Sequence, residues 1–239
     1  MRKVLHAIIS VATLSSATWV TAINRANAEE VAPSGEPGLV GCWSFDEGDG
    51  NAVKDSSKSG HDGSISGAKR VKGVVGSALE FNGVSDFANV SSPGSGLVDK
   101  AVSVEAWIQS AGNNVNANLV FAGPESLDFG IWIQGGRFFA GIWNSDGTQC
   151  SAVSPSGPTP GQWYHVAMTC DFNADKTVKL YIDGKLICTN PAVGAGIRAA
   201  HTTIDIGGRT PNASYFNGII DEVKIYNRAL SEEEIRPSK

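Results

Sequence analysis

A tight turn between two alternating runs places the strongest constraint on how this chain folds. Asp183-Gly184 joins the runs, and a type I′ turn needs two residues that tolerate positive φ, as this pair does. Apolar residues occupy every second position across 164–170 and again across 178–182. Period two is the pattern of a strand with one face against a core. We therefore predict three consecutive antiparallel strands within Gln162–Asn190, at the middle of a large sheet.

Short apolar runs separated by turn residues continue along most of the chain. The 28 glycines and 10 prolines fall mainly between these runs, which is typical of all-β proteins. One helix signal appears near the end, where Ser231 and Glu234 form a capping box shortly before Pro237. The sequence therefore predicts an all-β fold of two packed antiparallel sheets, closed by one short C-terminal helical turn.

The first 28 residues have the pattern of a secretory signal peptide. Arg2 and Lys3 give a positive start, a largely apolar stretch follows, and Ala26-Asn27-Ala28 is a small-residue cleavage site. The alternative is an uncleaved membrane anchor, although Ser and Thr dilute the apolar stretch. Residues 29–38 are predicted to be a linker. We expect a secreted, periplasmic or cell-surface protein that does not span a membrane after signal cleavage.

Charge and cysteine content limit the partners and the cross-links. The formal net charge is −5, which argues against nucleic acid as the main partner. An even number of cysteines in an exported chain suggests disulfides among Cys42, Cys150, Cys170 and Cys188. Counting back from the Asp183-Gly184 turn places Cys170 and Cys188 on opposite faces, which disfavours that pair. Two other connectivities stay open, as do four free buried thiols.

Five segments together resemble the LamG-like jelly-roll domains of the concanavalin A-like lectin and glucanase superfamily. They are the first strand within Leu39–Gly48, the F-x-G-x-x-D hairpin within Gly76–Val90, the S-x-x-A-W-like strand Val102–Ile108, the W-x-H-V-A and Y-x-D-G motifs within Gln162–Gly184, and the last strand Gly218–Arg228. Their order and spacing are similar to those of the family. The four cysteines are a departure from it.

The resemblance implies one jelly-roll domain over residues 39–236. It also implies a two-sheet antiparallel sandwich of the concanavalin A-like kind, often with one structural calcium ion, and most often a binding role. Within that frame Asn82, Asp86 and Asp221 are the best calcium ligands, because calcium takes six to eight oxygen ligands from carboxylates, carbonyls and water. The alternative is that Asn82 and Asp86 hold their own turn and Asp221 ends a ladder.

Carbohydrate recognition rests on side chains that can stack on sugar rings or bind hydroxyl groups. These candidates are Trp132, Trp143, Asn144, Arg209 and Tyr215. Packing is the alternative for each aromatic residue, and we expect Trp43 and Trp107 to lie in the core. The asparagines of 89–91 and 212–214 match a glycosylation pattern that depends on the host, which the sequence does not identify.

Catalysis has little support in the sequence. Hydrolases of the superfamily carry two catalytic carboxylates on one strand, spaced E-x-D-x-E, and that triplet does not occur here. Asp221 and Glu222 are adjacent, so a regular strand would point them to opposite faces.

Three hypotheses follow. The first is a secreted, non-catalytic module that binds carbohydrate or glycoconjugate, with calcium as a structural ion. The second is a module that binds a protein of the cell surface or matrix, and the third is a degenerate glycoside hydrolase.

Overall fold

The structure is a computed structural model that describes residues 35–92, 98, 100–112, 114–123, 128–198, 203–208 and 214–237. The predicted signal peptide lies outside these residues, as does most of the predicted linker. Sixteen strands are present in the described part. They are β1 Leu39–Trp43, β2 Ala52–Val53, β3 Gly63–Ser66, β4 Lys69–Lys72, β5 Ser77–Asn82, β6 Phe87–Ser91, β7 Ala101–Ser110, β8 Asn116–Ala122, β9 Phe129–Gln134, β10 Arg137–Trp143, β11 Gln149–Val153, β12 Trp163–Asp171, β13 Thr177–Ile182, β14 Lys185–Pro191, β15 Thr203–Ile206 and β16 Asn217–Tyr226.

The strands form two antiparallel sheets of eight, which confirms the predicted all-β sandwich. The first sheet has the order β14-β13-β12-β7-β16-β5-β4, with β1 also paired to β16. The second has the order β11-β10-β9-β8-β15-β6-β3-β2. The three consecutive strands β12, β13 and β14 are confirmed, but β14 is an edge strand, so their predicted place at the middle of the sheet is wrong.

The core lies between the sheets and follows the two-residue alternation. Its largest fully buried side chains include Trp43, Phe45, Phe81, Phe129 and Phe138. Trp43 is thus in the core as expected. Trp107 is not, because it alternates with the buried Ala106 and Ile108 and is half-buried on the outer face of β7.

The predicted Asp183-Gly184 turn is present, with φ of 49° and 72°. A β-bulge follows it, since Leu180 pairs with Cys188 while Tyr181 pairs with Leu186. Because of this extra residue, each later side chain of β14 points to the face opposite to the one that simple alternation predicts. Cys188 therefore packs against the same core as Cys170, and the prediction that they face opposite ways is wrong. All four cysteines are free thiols.

The C-terminal helical turn is not seen, and the described residues contain no helix. Residues 231–235 instead form one hydrogen-bonded turn, in which the carboxylate of Glu234 accepts from the N–H of Ser231. The turn is held down by Leu230 and Ile235, which pack with Tyr181 and Tyr226 on the outer face of the first sheet. Within the described residues no helix is long and apolar enough to cross a membrane.

Candidate functional site: an aromatic ladder on the second sheet

Strand alternation sends a row of aromatic rings to the outer face of the second sheet. In β10, Phe138, Ala140 and Ile142 belong to the core, so Phe139 and Trp143 point outward. In β9 the same alternation turns Trp132 outward opposite Phe139. Phe121 of β8 faces the same way. We call Phe121, Trp132, Phe139 and Trp143 the aromatic ladder.

Trp132 is in ring contact with every other member of the ladder. Its ring centroid lies 5.5 Å from that of Phe139, at an interplanar angle of 25°, and 5.4 Å from that of Trp143, at 34°. Phe121 supports both indoles, at 6.0 Å from Trp132 and 5.5 Å from Trp143. Trp132 and Phe121 are buried by these contacts, at 7% and 3% exposure, while Phe139 and Trp143 are half-buried. The rings open to solvent are therefore those at the two ends.

A glycine beneath the ladder makes the stacking possible. Gly141 lies between Phe139 and Trp143 on the outer face of β10, and a Cβ there would meet Cη2 of Trp132 at 2.8 Å. A side chain at this position would displace the indole from between its neighbours. The sequence R-F-F-A-G-I-W therefore encodes a core face, an aromatic outer face and the space for one ring of β9.

Polar groups border the rings. Trp132 donates from Nε1 to Oε1 of Gln134 at 3.2 Å, and the Arg137 guanidinium lies 5.9 Å from the Phe139 ring centroid. Asn118 of β8 is the cross-strand neighbour of Trp132. Asn118 is 6% exposed, and its Nδ2 has no hydrogen-bond partner within the described part of the chain. A buried amide without a partner is costly, so this group is a source of strain beneath the ladder.

The structure brings two of the five predicted sugar-binding residues together, Trp132 and Trp143. Asn144 is buried at 1% exposure and holds a turn, because its Oδ1 accepts from the N–H groups of Asp146 and Thr148. Tyr215 lies beside Gly208. Arg209 is outside the described residues.

Sequence reasoning missed three members of this surface, namely Asn118, Phe121 and Phe139. The alternation in β10 contained the signal for Phe139, since Phe138 and Phe139 must face opposite sides of one strand. Phe121 follows a register shift in β8 between Asn118 and Val120, so simple alternation assigns it to the wrong face.

Two of the predicted calcium ligands lie in one turn. Oδ1 of Asn82 accepts from the N–H groups of Val84, Ser85 and Asp86, at 2.8–3.2 Å. The carboxylate of Asp86 accepts from the main-chain and side-chain nitrogens of Asn82, at 3.1 and 2.9 Å. These oxygens thus organise the hairpin between β5 and β6, and any cation there would compete with N–H donors for them.

The third predicted calcium ligand, Asp221, anchors a different loop. It is fully buried, and its Oδ2 accepts from the N–H groups of Val74 and Val75 at 2.8 and 3.1 Å. Burial raises the pKa of this carboxyl to about 6. In the part of the chain that the structure describes, no three His, Cys, Asp or Glu side chains are grouped closely enough to hold a metal ion. Calcium at these residues therefore stays a prediction.

The family assignment follows from residues 82–236, which match the sequence profile of a laminin G-like family in the concanavalin A-like lectin/glucanases superfamily. The chain belongs to this family. Among curated proteins the domain is 30% identical over 113 residues to human adhesion G-protein coupled receptor D1. That match covers 46% of this chain and 13% of the receptor.

Solved structures share the fold of this laminin G-like chain at low sequence identity. The binding domain of Paraclostridial mosquitocidal protein 1 has a TM-score of 0.69 at 16% identity, over 83% of this chain and 51% of that one. Domain 4 of the arabinanase AbnA from Geobacillus stearothermophilus, in complex with arabinotriose, has a TM-score of 0.60 at 20% identity, over 83% and 96%. Trypanosoma rangeli sialidase has a TM-score of 0.63 at 21% identity, over 92% and 37%. At these identities the likeness shows the fold alone.

Proposed function

We propose that this laminin G-like domain is a non-catalytic carbohydrate-binding module that acts outside the cell or at its surface, and that it binds through the aromatic ladder. The observation that carries the proposal is the half-exposed indole of Trp143, which Trp132 and Phe121 hold at one end of the ladder. Sugar rings present C–H faces to aromatic rings and hydroxyl groups to amides.

The fixed geometry of the ladder favours binding. Trp143 contacts both Trp132 and Phe121, so its ring is already held in place before a ligand arrives. A side chain that is fixed in advance loses little entropy on binding. The arabinanase domain that shares the fold was solved with arabinotriose, which is consistent with a carbohydrate ligand for this architecture.

The test is a glycan array followed by titration calorimetry with the best-binding oligosaccharide. We expect Trp143→Ala to weaken binding about tenfold or more, which corresponds to about 1.4 kcal/mol. The matched control is Trp163→Ala, which removes a half-buried tryptophan from the outer face of the first sheet. Equal affinity for Trp143→Ala and the parent protein would exclude the ladder as the binding surface.

Absence of catalysis is part of the proposal and has its own assay. Turnover of a polysaccharide, measured as new reducing ends, would contradict it. Binding without new reducing ends supports it.

A protein partner is the second candidate, because the human receptor that matches 113 residues of this chain is an adhesion receptor. Binding to a purified cell-surface protein that persists after enzymatic deglycosylation, together with a silent glycan array, would favour this function. Loss of binding on deglycosylation would favour the carbohydrate.

A further inference from the structure

A cavity of about 360 Å³ lies on the outer face of the first sheet, on the side opposite the aromatic ladder. Strands β7, β12 and β16 form its floor, and the segments on either side of the sheet, 36–37 and 228–237, form its walls. The C-terminal wall is fixed in place by a bidentate pair between Arg228 and Glu234, at 2.7 and 2.9 Å. The volume is in the range typical of small-molecule pockets.

Strand register brings polar side chains from distant parts of the chain into this cavity. His165 is paired with Trp107 across β12 and β7, and Glu105 is paired with Lys224 across β7 and β16. Between Asp221 and Lys224 the register of β16 shifts, and Glu222 takes a φ of 49°. In a regular strand Glu222 and Asp221 would point to opposite faces of the sheet. The bulge changes this and places Glu222 at the cavity wall.

Four carboxylates line the cavity, and two of them, Glu105 and Glu222, have no ion-pair partner among the described lysines and arginines, whereas Glu234 is paired with Arg228. Glu36 is neutralised, since it accepts from Nζ of Lys224 at 3.2 Å and from the Tyr226 hydroxyl at 2.6 Å. For Glu105 and Glu222, no described lysine or arginine lies within ion-pair distance. The nearest basic group to Glu105 is Nε2 of His165, at 3.6 Å from its Oε2.

The environment of these groups is costly for negative charge. Burial raises the pKa of Glu105 to about 7. His165 does not supply the missing positive charge, because burial lowers its pKa to about 4 and leaves it neutral. The side chain of His165 is 7% exposed, and its Nδ1 has no hydrogen-bond partner within the described part of the chain.

We propose that this cavity binds a small organic cation with a primary or quaternary ammonium group. Glu105 and Glu222 supply the countercharge, and the Trp107 indole supplies an aromatic surface for a cation–π contact. A metal ion fits less well, because in the described residues the carboxylates are not grouped in threes around one point. An organic cation is several atoms across, so it can contact carboxylates that lie on different sides of a cavity.

Calorimetry on the purified protein at about pH 8 tests the proposal, with choline, ethanolamine and 3,3-dimethyl-1-butanol as probes. The last compound has the shape of choline without its charge. We expect at least one ammonium compound to bind about tenfold or more tightly than the uncharged compound. Equal binding of all three, or no heat with either ammonium compound at tens of millimolar, would overturn the proposal.

Variants then locate the site. Glu222→Gln and Trp107→Ala should each weaken ammonium binding, the latter by about 2-fold to 30-fold, which is the range of a cation–π contact. Glu80→Gln is the matched control, because Glu80 is an exposed carboxylate on β5 of the same sheet. Unchanged affinity in both Glu222→Gln and Trp107→Ala, with their circular dichroism spectra intact, would place the cation elsewhere and overturn the assignment.

The pH dependence is a readout that needs no variant. Glu105 faces His165 from β12, and Glu222, Lys224 and Tyr226 from β16, and it is near Glu36 from the N-terminal wall. His165 stays neutral above about pH 5, so ionisation of Glu105 near pH 7 adds negative charge to the cavity without a new positive charge on His165. Affinity for choline should rise severalfold between about pH 6 and pH 8. A constant affinity would show that Glu105 does not contact the cation.

Discussion

The raised pKa of Glu105 predicts that the free energy of unfolding of this protein falls as the pH rises. Replacing this carboxylate by an amide should remove that part of the fall. Burial raises the pKa of the Glu105 carboxyl from about 4.5 to about 7. Between these values the native state keeps a proton that the unfolded chain has lost. The contribution of Glu105 to stability is therefore complete below about pH 4.5 and is lost as the pH rises through 7. The shift corresponds to about 3 kcal/mol.

Glu105→Gln removes the titration while keeping the shape of the side chain. The assay is urea unfolding of both proteins at a series of pH values, comparing their free energies of unfolding. We expect a small difference at about pH 4 and a gain of up to about 3 kcal/mol for the variant at about pH 8. For a domain of this size the gain is a rise in Tm of about 6–12 °C.

The contributions of other titrating groups to the free energy of unfolding cancel in this comparison, since both proteins carry Asp221 and His165. The reasoning would be refuted if the difference in free energy of unfolding between variant and parent did not change with pH. That result would show that Glu105 has the same pKa in the native and unfolded states. A variant that is less stable at every pH would show that the carboxylate is paired in the native protein.

Three further predictions concern the elements that frame the two sites. Asp221→Ala removes the acceptor for the N–H groups of Val74, Val75 and Glu222, so it should lower the free energy of unfolding by about 2–4 kcal/mol in urea titrations, and an unchanged midpoint would contradict this. Gly184→Ala places a side chain at a φ of 72°, so it should cost about 1 kcal/mol by the same assay, whereas a stabilised variant would exclude the assigned turn. The calcium prediction is decided by thermal unfolding: a higher Tm in calcium than in chelator, lost in Asp86→Asn, supports the ion, and superimposable curves remove it.

The hairpins show how far local sequence determines this fold. Alternation and the Asp183-Gly184 pair were enough to predict the turn, because both signals are local. The β-bulge after the turn was not predictable from them, since it leaves Ile187 exposed and depends on how Cys188, beyond it, packs against the core. One extra residue changed the face on which Cys188 lies, and the position of β14 at a sheet edge depends on pairings with no local signal.

The aromatic ladder and the cavity show the same limit of prediction from local sequence. Trp132 and Trp143 were identified as candidates by residue type, but their stacking depends on the register between β9 and β10 and on Gly141. The cavity on the first sheet was not predicted at all. Glu36, Glu105 and Glu222 are far apart in the chain, and Glu222 reaches the cavity through a bulge that alternation does not anticipate.

Indole N–H resonances give the most direct test of where the glycan binds. The chain has six tryptophans, each with one Nε1–H signal in a nitrogen–proton correlation spectrum, and they are assigned by substitution. During titration with the best-binding oligosaccharide, the account predicts shifts for Trp132 and Trp143 and none for Trp107 or Trp163, which lie on the other sheet. Shifts confined to Trp107 or Trp163, with Trp132 and Trp143 unmoved, would contradict it.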